Sequence, residues 1–432
     1  MSRLWQKLAD GHPVAPFVLL LLVTAPLKLG IGNVALGLLA AASIWQFGKH
    51  RYFARDWKLL LPIALFLLMA LSLTWTIDLQ RSLKALPRMI YLIVIPICFL
   101  IIPPFSTTQR RSILEKFGYA MAAVAVFYLS KAVIRFLLTG NRNVFFYHEL
   151  VTEETNAIYV SVFFAVAFFA LVTKNKLKIL DKTACAILFL LILLLSSKNV
   201  IAVFALLCVV YFVRYANLGR RRLISVSGIF FGVFVLSLIA FPKITQRFRS
   251  EFEAAKENPA QIIIDGGRVN NVSVSQAWNQ EKFTANDFFG GTAFRVYQFR
   301  IFTEMLAQDN ILFTGYGLNA SFRKIGEKAD EYGLFKGDAS NKGYHGKNFH
   351  NQYVQNFAEM GFFAFLLLVI MLFVSLKNAI TAKDFTLISF SVLMISLFLT
   401  ESFLWRQRGV TFFTAMYCLA NYGTVLIATK KR

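Results

Sequence analysis

The stretch Lys347-Asn348-Phe349-His350-Asn351-Gln352-Tyr353 sets a histidine among amides just ahead of a long apolar run. An imidazole takes a proton from a hydroxyl near neutral pH, which makes His350 a candidate general base. Histidine in such a place also serves as an interfacial helix cap, and the residues alone leave both roles open. His345 is five residues away, about 140° around a helix, so the pair is badly spaced for a shared metal. Glu359, in Phe357-Ala358-Glu359-Met360-Gly361, is the next ionisable group.

Cations supply the second kind of chemistry. Phe294-Arg295-Val296-Tyr297-Gln298-Phe299-Arg300 carries two arginines that do not share a helix face. One of them binding an anion and the other lying in solvent is the simplest reading. Ser196-Ser197-Lys198-Asn199 is a tight polar break between two apolar runs. Its lysine either holds a phosphate or snorkels to the interface. The segment Glu401–Gly409 adds Arg406, and Tyr147-His148-Glu149-Leu150 adds another histidine. Lys131 and Arg135 are four apart on one face inside an apolar run, where charge points to function, although they lie close enough to the end of that run to snorkel. A guanidinium fork matches a diphosphate bidentately. No Walker A, HExxH, GxSxG or dinucleotide-binding pattern occurs. No DxD-like carboxylate pair stands in these segments, so nothing in the pattern asks for a divalent metal or another cofactor. The residues alone reach an enzyme or binder for a polyprenyl diphosphate.

Such groups need elements to hold them at one membrane face. Of the 432 residues, 57% are hydrophobic, and Phe alone accounts for 45. Apolar runs fall near 14–30, 32–47, 59–75, 87–103, 117–138, 157–173, 183–196, 199–213, 223–241, 357–376, 384–401 and 409–428. The expected fold is an all-α polytopic membrane protein of about twelve transmembrane helices. Residues 1–241 carry spans 1 to 9, 242–356 form a large extracytoplasmic insertion, and 357–432 carry the last three spans. The start, Met1–Lys7 and then apolar Pro13–Pro26, looks like a signal peptide but has no small-x-small site, and is read as a retained span. With both termini cytoplasmic, 22 Lys and Arg fall on inner segments against 6 in short outer loops, which orients the chain by the positive-inside rule. The formal charge of +23 is therefore a topology signal, and no nucleic-acid partner is expected. The insertion is nearly neutral, with 14 basic and 12 acidic residues, and helical patterns at Ser250–Asn258 and Tyr297–Ala307 predict a small helical cap. Cys98, Cys185, Cys208 and Cys418 lie in apolar runs and read as buried small hydrophobes. There is no internal repeat, which counts against a transporter.

His350-Asn351 followed by Glu359-x-Gly361, Arg295 followed by Phe299, and Gly315-x-Gly317 resemble the O-antigen ligase / O-antigen polymerase superfamily. The Ser197-Lys198-Asn199 turn is similar to that family's Ser-Arg-Gly turn. Lysine in place of arginine offers a point charge and no fork. The Tyr147–Leu150 and Glu401–Gly409 loops are similar to those of a ligase subgroup, and Asn156 stands where that subgroup carries a histidine. The resemblance implies a GT-C-like membrane glycosyltransferase. It would move a glycan from undecaprenyl diphosphate to lipid A-core on the periplasmic face of a Gram-negative inner membrane, in contact with membrane lipids. By matching positions His350 is the implied catalytic residue, with Arg295 and Lys198 as diphosphate contacts; Arg300, outside those matches, is a further diphosphate-binding candidate expected to matter less. Asn351, Glu359, His148 and Arg406 are candidate supporting residues. A polysaccharide polymerase of the same superfamily is the near alternative. A flippase or exporter of the lipid-linked glycan is the alternative of another class, which requires polar sites at both faces and a charged path between them.

Overall fold

In hydrocarbon, a backbone can satisfy its polar groups only within a helix or a closed barrel, and the apolar runs become helices. A computed structural model describes residues 11–152, 155–216, 228, 232, 256, 261–264, 267–338 and 343–423. In chain order the first helices are α1 (Ala15–Val23), α2 (Leu29–His50), α3 (Leu60–Leu71), α4 (Leu79–Ala85), α5 (Tyr91–Leu100) and α6 (Thr107–Thr139). Then come α7 (Tyr147–Val151), α8 (Ala157–Val172), α9 (Ile179–Leu194) and α10 (Lys198–Arg214). The expected span at 223–241 and the expected helix at Ser250–Asn258 lie outside the described residues, isolated positions apart. Among the described residues five stretches are long and apolar enough to cross a membrane: Leu29–His50, Trp57–Thr74, Leu79–Leu100, Thr107–Thr139 and Gln352–Thr381. The chain is thus a mostly helical, multi-pass membrane protein.

Two boundaries depart from the apolar pattern for local reasons. The run at 14–30 is broken after Ala15–Val23 and becomes helical again only at Leu29, where α2 begins, because Pro26 disfavours helix in the residue before it. Helix α6 starts ten residues ahead of its apolar run. Ser106 and Gln109 form a capping box there, and the helix ends at Gly140 with φ 65°. Every residue of α8 except Ile158 is buried, as expected for a helix that is apolar on all faces and sits inside the bundle. Helices α6 and α9 pack on it.

The insertion is a cap with its own core. It contains α11 (Val274–Asn279), α12 (Gly291–Gln308) and α13 (Ser321–Glu331). It is not purely helical as expected. Strands β1 (Ile262–Ile264), β2 (Gly267–Val272) and β3 (Asp287–Phe289) form a small sheet in the order β1-β2-β3. β1 pairs antiparallel with β2 and β3 parallel to it. Three successive β-branched isoleucines favour strand over helix. Phe283, Phe289, Phe294, Tyr297, Phe302 and Phe349 make up much of the cap core.

The chain returns to the bundle through α14 (Gln352–Thr381), α15 (Phe385–Phe398) and α16 (Gln407–Asn421). Helix α14 breaks at Gly361, where φ is 73° and ψ is −169°. The freed backbone groups are taken up by the loop after α12. Tyr316 N donates to Ala358 O at 2.9 Å, Gly317 N to Glu359 O at 2.7 Å and Phe362 N to Leu312 O at 2.7 Å. The approach is so close that a Cβ on Gly361 would lie 2.3 Å from Phe313 C, and one on Gly315 would lie 2.3 Å from Glu359 C. The two glycine motifs of the sequence are therefore the two halves of one backbone joint, which fixes the cap on the helix that follows His350.

Candidate active site

His350 is held from both sides. Before it, Phe349 is buried and packs edge-on against Phe302 with ring centroids 6.0 Å apart. After it, Asn351 caps α14 by accepting from Val354 N at 3.1 Å. Between these anchors His350 takes a left-handed φ of 47°, and its own N–H donates to Asn348 Oδ1 at 3.0 Å. Strain of this kind persists only where the surroundings impose it. The ring lies edge-on to Phe294, 6.0 Å away, on α12.

Glu401 Oε2 lies 3.5 Å from His350 Nδ1, and the carboxylate side chain is only 8% exposed. The sequence pointed to the 401–409 loop as a whole and not to this glutamate. The loop is pinned to α14: Ser402 Oγ donates to Gln355 Oε1 at 3.3 Å and Leu404 N to Gln352 Oε1 at 2.6 Å. Tyr159 of α8 adds a donation to Phe403 O at 3.1 Å.

Arg295 reaches the same place from α12. Its Nε donates to Thr400 O at 2.8 Å and its Nη1 to Gly291 O at 2.9 Å. That leaves Nη2 without a partner among the described residues. Thr400 is shared, because Asn199 Nδ2 donates to Thr400 Oγ1 at 2.7 Å and to Ser396 O at 2.9 Å. The turn that opens α10 is thereby docked on the residue that holds Arg295. Lys198 is the first residue of α10, half-buried, and does not line the cavity.

These groups border a cavity of about 540 Å³. One side is Arg295, Gly346, Lys347, Asn348 and His350; the other is Tyr147, His148, Asn156, Glu401, Trp405 and Arg406. Arg295, Lys347 and Arg406 against the single carboxylate of Glu401 leave its lining net positive, which suits an anion. Trp405 donates from Nε1 to Asn319 Oδ1 at 2.7 Å and is flanked by the guanidinium of Arg88 at 5.3 Å and of Arg406 at 5.9 Å. The Tyr147–Glu149 segment is tied down by Arg135. Its Nη1 donates to Glu149 O at 2.6 Å and its Nη2 pairs with Glu149 Oε2 at 2.5 Å. Arg135 thus braces the loop that carries His148, and does more than snorkel.

Besides Lys198, the sequence candidates Arg300, Glu359, Asn351 and His345 do not line the cavity. Arg300 is neither solvated nor an anion site: it donates to Glu304 at 3.0 Å, Gln280 O at 2.8 Å and Tyr332 Oη at 2.9 Å within the cap. Glu359 is buried beneath the site, where it accepts from Gln355 and Ser321. Asn351 acts as the cap described above. His345 is turned to Leu334 O at 3.0 Å, away from His350. Among the described residues no three His, Cys, Asp or Glu side chains gather as a metal site would.

Polar groups do not gather at one face only, as the sequence suggested. A second cavity of about 340 Å³ lies at the opposite ends of α6, α8 and α14, with Arg111, Lys383 and Asp384 in its lining. Between the two, α8 presents Phe163, Phe164, Phe168 and Phe169, all buried, so along this helix apolar rings and no charge separate the polar ends.

Residues 183–369 match the family model described as O-antigen ligase. The match covers Lys198, Arg295, His350 and the glycine joint, and leaves out Tyr147, His148, Glu401 and Arg406. Among curated proteins none matches the chain.

Proposed function

We propose that this chain, a member of the O-antigen ligase/polymerase superfamily through residues 183–369, is an O-antigen ligase. The reading is that it transfers a glycan from undecaprenyl diphosphate to lipid A-core at the periplasmic face of a Gram-negative inner membrane, in a GT-C-like fold of about twelve spans. The observation that carries it is the meeting, in one cavity, of a guanidinium whose Nη2 has no partner among the described residues and a histidine whose Nδ1 faces a buried carboxylate.

The chemistry follows from that arrangement. The donor already has a good leaving group, so the barrier lies in activating the acceptor hydroxyl and in stabilising charge on the departing diphosphate. Glu401 facing Nδ1 keeps the ring proton there and leaves Nε2 as the base, as a carboxylate does for an imidazole. Nε2 takes the hydroxyl proton while the acceptor oxygen bonds to the anomeric carbon. The bond from that carbon to the diphosphate oxygen breaks, and its electron pair leaves with the diphosphate. Attack from the face opposite the leaving group inverts the centre. Arg295 stabilises the developing anion electrostatically, and Lys198, which does not line the cavity, is left out of this step. Both substrates are anchored in the same leaflet, which lowers the entropic cost of bringing them together.

A strain lacking the gene tests the reading through its lipopolysaccharide profile. A ligase leaves the core without long chains while lipid-linked polymer accumulates. A single repeat unit on the core marks a polymerase and overturns the assignment.

A further inference from the structure

The His350–Glu401 contact joins two segments far apart in the chain, so its length depends on what holds those segments together. Phe349, the residue before His350, and Ser402, the residue after Glu401, converge on one atom. Phe349 N and Ser402 Oγ each donate to Gln355 Oε1 at 3.3 Å. Gln355 lies in the first turn of α14 and is buried, as are Phe349 and Ser402. A carbonyl oxygen has two lone pairs, so these two donors saturate it.

The other end of the same amide fixes which way it faces. Its Nε2 donates to Ser321 Oγ at 3.2 Å and to Glu359 Oε1, and Ser321 Oγ donates in turn to Glu359 Oε1 at 3.2 Å. The Phe349 N–H can only donate, so it demands the amide oxygen. A flipped amide would set its NH2 against that N–H and turn its oxygen onto the Glu359 carboxyl, leaving buried groups unpaired, which is costly. Glu359 is itself immobile, because its backbone carbonyl takes Gly317 N at the glycine joint. The amide is therefore anchored at one end to the joint and at the other holds the two residues that flank the histidine–carboxylate pair.

We propose that Gln355 is a positioning residue: through one side-chain oxygen it sets His350 and Glu401 at the distance that keeps the ring proton on Nδ1 and turns Nε2 to the acceptor hydroxyl. The inference rests on the reading of His350 as a base oriented by Glu401. Gln355 does not line the cavity, so it acts through that pair. Glu359 and Ser321 hold the amide in its one satisfied orientation, which gives Glu359 a part in the site without reaching the cavity. Reacting groups tolerate little displacement, and a shift of about 1 Å can cost roughly a hundredfold in rate.

The test is a double-variant cycle on the purified full-length protein reconstituted in vesicles, with ligation measured at varied donor concentration. Gln355→Leu is expected to lower kcat about tenfold and to leave donor KM unchanged, as loss of orientation does. In a Glu401→Gln background no pair is left to position, and the same change is expected to cost less than about twofold further. Ser402→Ala removes one of the two donors and keeps the amide. About a threefold loss of kcat is expected from it, again absent in the Glu401→Gln background. This second variant carries the cycle if Gln355→Leu does not fold. Losses that multiply across the cycle, a change confined to donor KM, or wild-type kcat in both single variants overturn the positioning role and leave Gln355 as packing. Wild-type kcat in Glu401→Gln overturns the histidine–carboxylate reading itself, and the positioning role falls with it.

Discussion

The cavity has two walls of different construction. The wall made by α12 and the turn into α14, with Arg295 and His350, lies inside the region that matches the family. It is built on a helix, a capped helix start and a backbone joint that tolerates no side chain at Gly315 or Gly361. The facing wall, with Tyr147, His148, Glu401, Trp405 and Arg406, comes from short connections outside that region. Those connections are held by side chains: Arg135 on Glu149, and Gln352 and Gln355 on the 402–404 turn. On the proposed reading, holding a diphosphate and taking a proton both fall to the first wall. Side-chain-tethered connections are the cheaper place to vary, and on the proposed reading they face the acceptor. The His350–Glu401 pair joins the two at the cavity, beside the hydrogen bond from Trp405 to Asn319 and the tethers of the 402–404 turn to α14.

The sharpest way to break this comparison is at Arg295. Arg295→Ala is expected to weaken donor binding about ten- to a hundredfold, the range for a buried charge-assisted contact of roughly 1.5–3 kcal/mol. Lysine restores part of it, having no fork. A steady-state donor KM that stays at the wild-type value refutes the role. Next in size is the bridge. Glu401→Gln is expected to lower kcat about tenfold with donor KM unchanged, as loss of a base's orientation does. A change confined to donor KM makes Glu401 part of the binding wall instead. Arg406→Ala then separates the walls by substrate: acceptor KM rises a few-fold, about the worth of one partly exposed charged contact, and donor KM holds. An effect on the donor alone erases the division.

The smallest effect is expected at Arg300. Arg300→Gln leaves both KM values unchanged and lowers the melting temperature of the purified protein, because its partners are all inside the cap. Burial pushes the Glu304 carboxyl up. Hydrogen bonds from Tyr332 and Lys328, the Lys328 charge and the Arg300 bond together outweigh it and hold the group below the ordinary range. That stability is present above the ordinary glutamate value and is lost as pH falls through the lowered one. The variant is therefore expected to lose less stability on acidification than the wild type, as thermal melts across acidic pH would show.

The sequence located the described spans because lipid imposes one pattern on them: an apolar helix can be read locally, and α8, α10 and α15 lie within a few residues of their apolar runs. It also picked out Arg295, His350 and the 401–409 loop. What it did not reveal depends on contacts between distant segments. Glu401 gains its meaning only beside His350, and Arg135 only beside Glu149. Gly315 and Gly361 read as motifs, but that they are one joint is visible only when the loop closes on the helix. Arg300 sits in the same short segment as Arg295, yet a further five residues of α12 turn it into the cap and onto Glu304. The small sheet escaped because its strands are only three to six residues long. The second polar cavity escaped because each of its lining segments, read singly, is an ordinary polar helix end or turn.

On the proposed mechanism His350 is the base and not a binding group. The measurement that tests it most directly pairs donor binding with ligation in purified, reconstituted His350→Ala protein treated with EDTA, beside wild type treated the same way. Wild-type donor affinity in the variant, ligation reduced by about 10²–10⁴, and full activity in the EDTA-treated wild type are expected. Normal ligation by the variant, or loss of donor binding in place of turnover, would contradict it, as would an inactive EDTA-treated wild type.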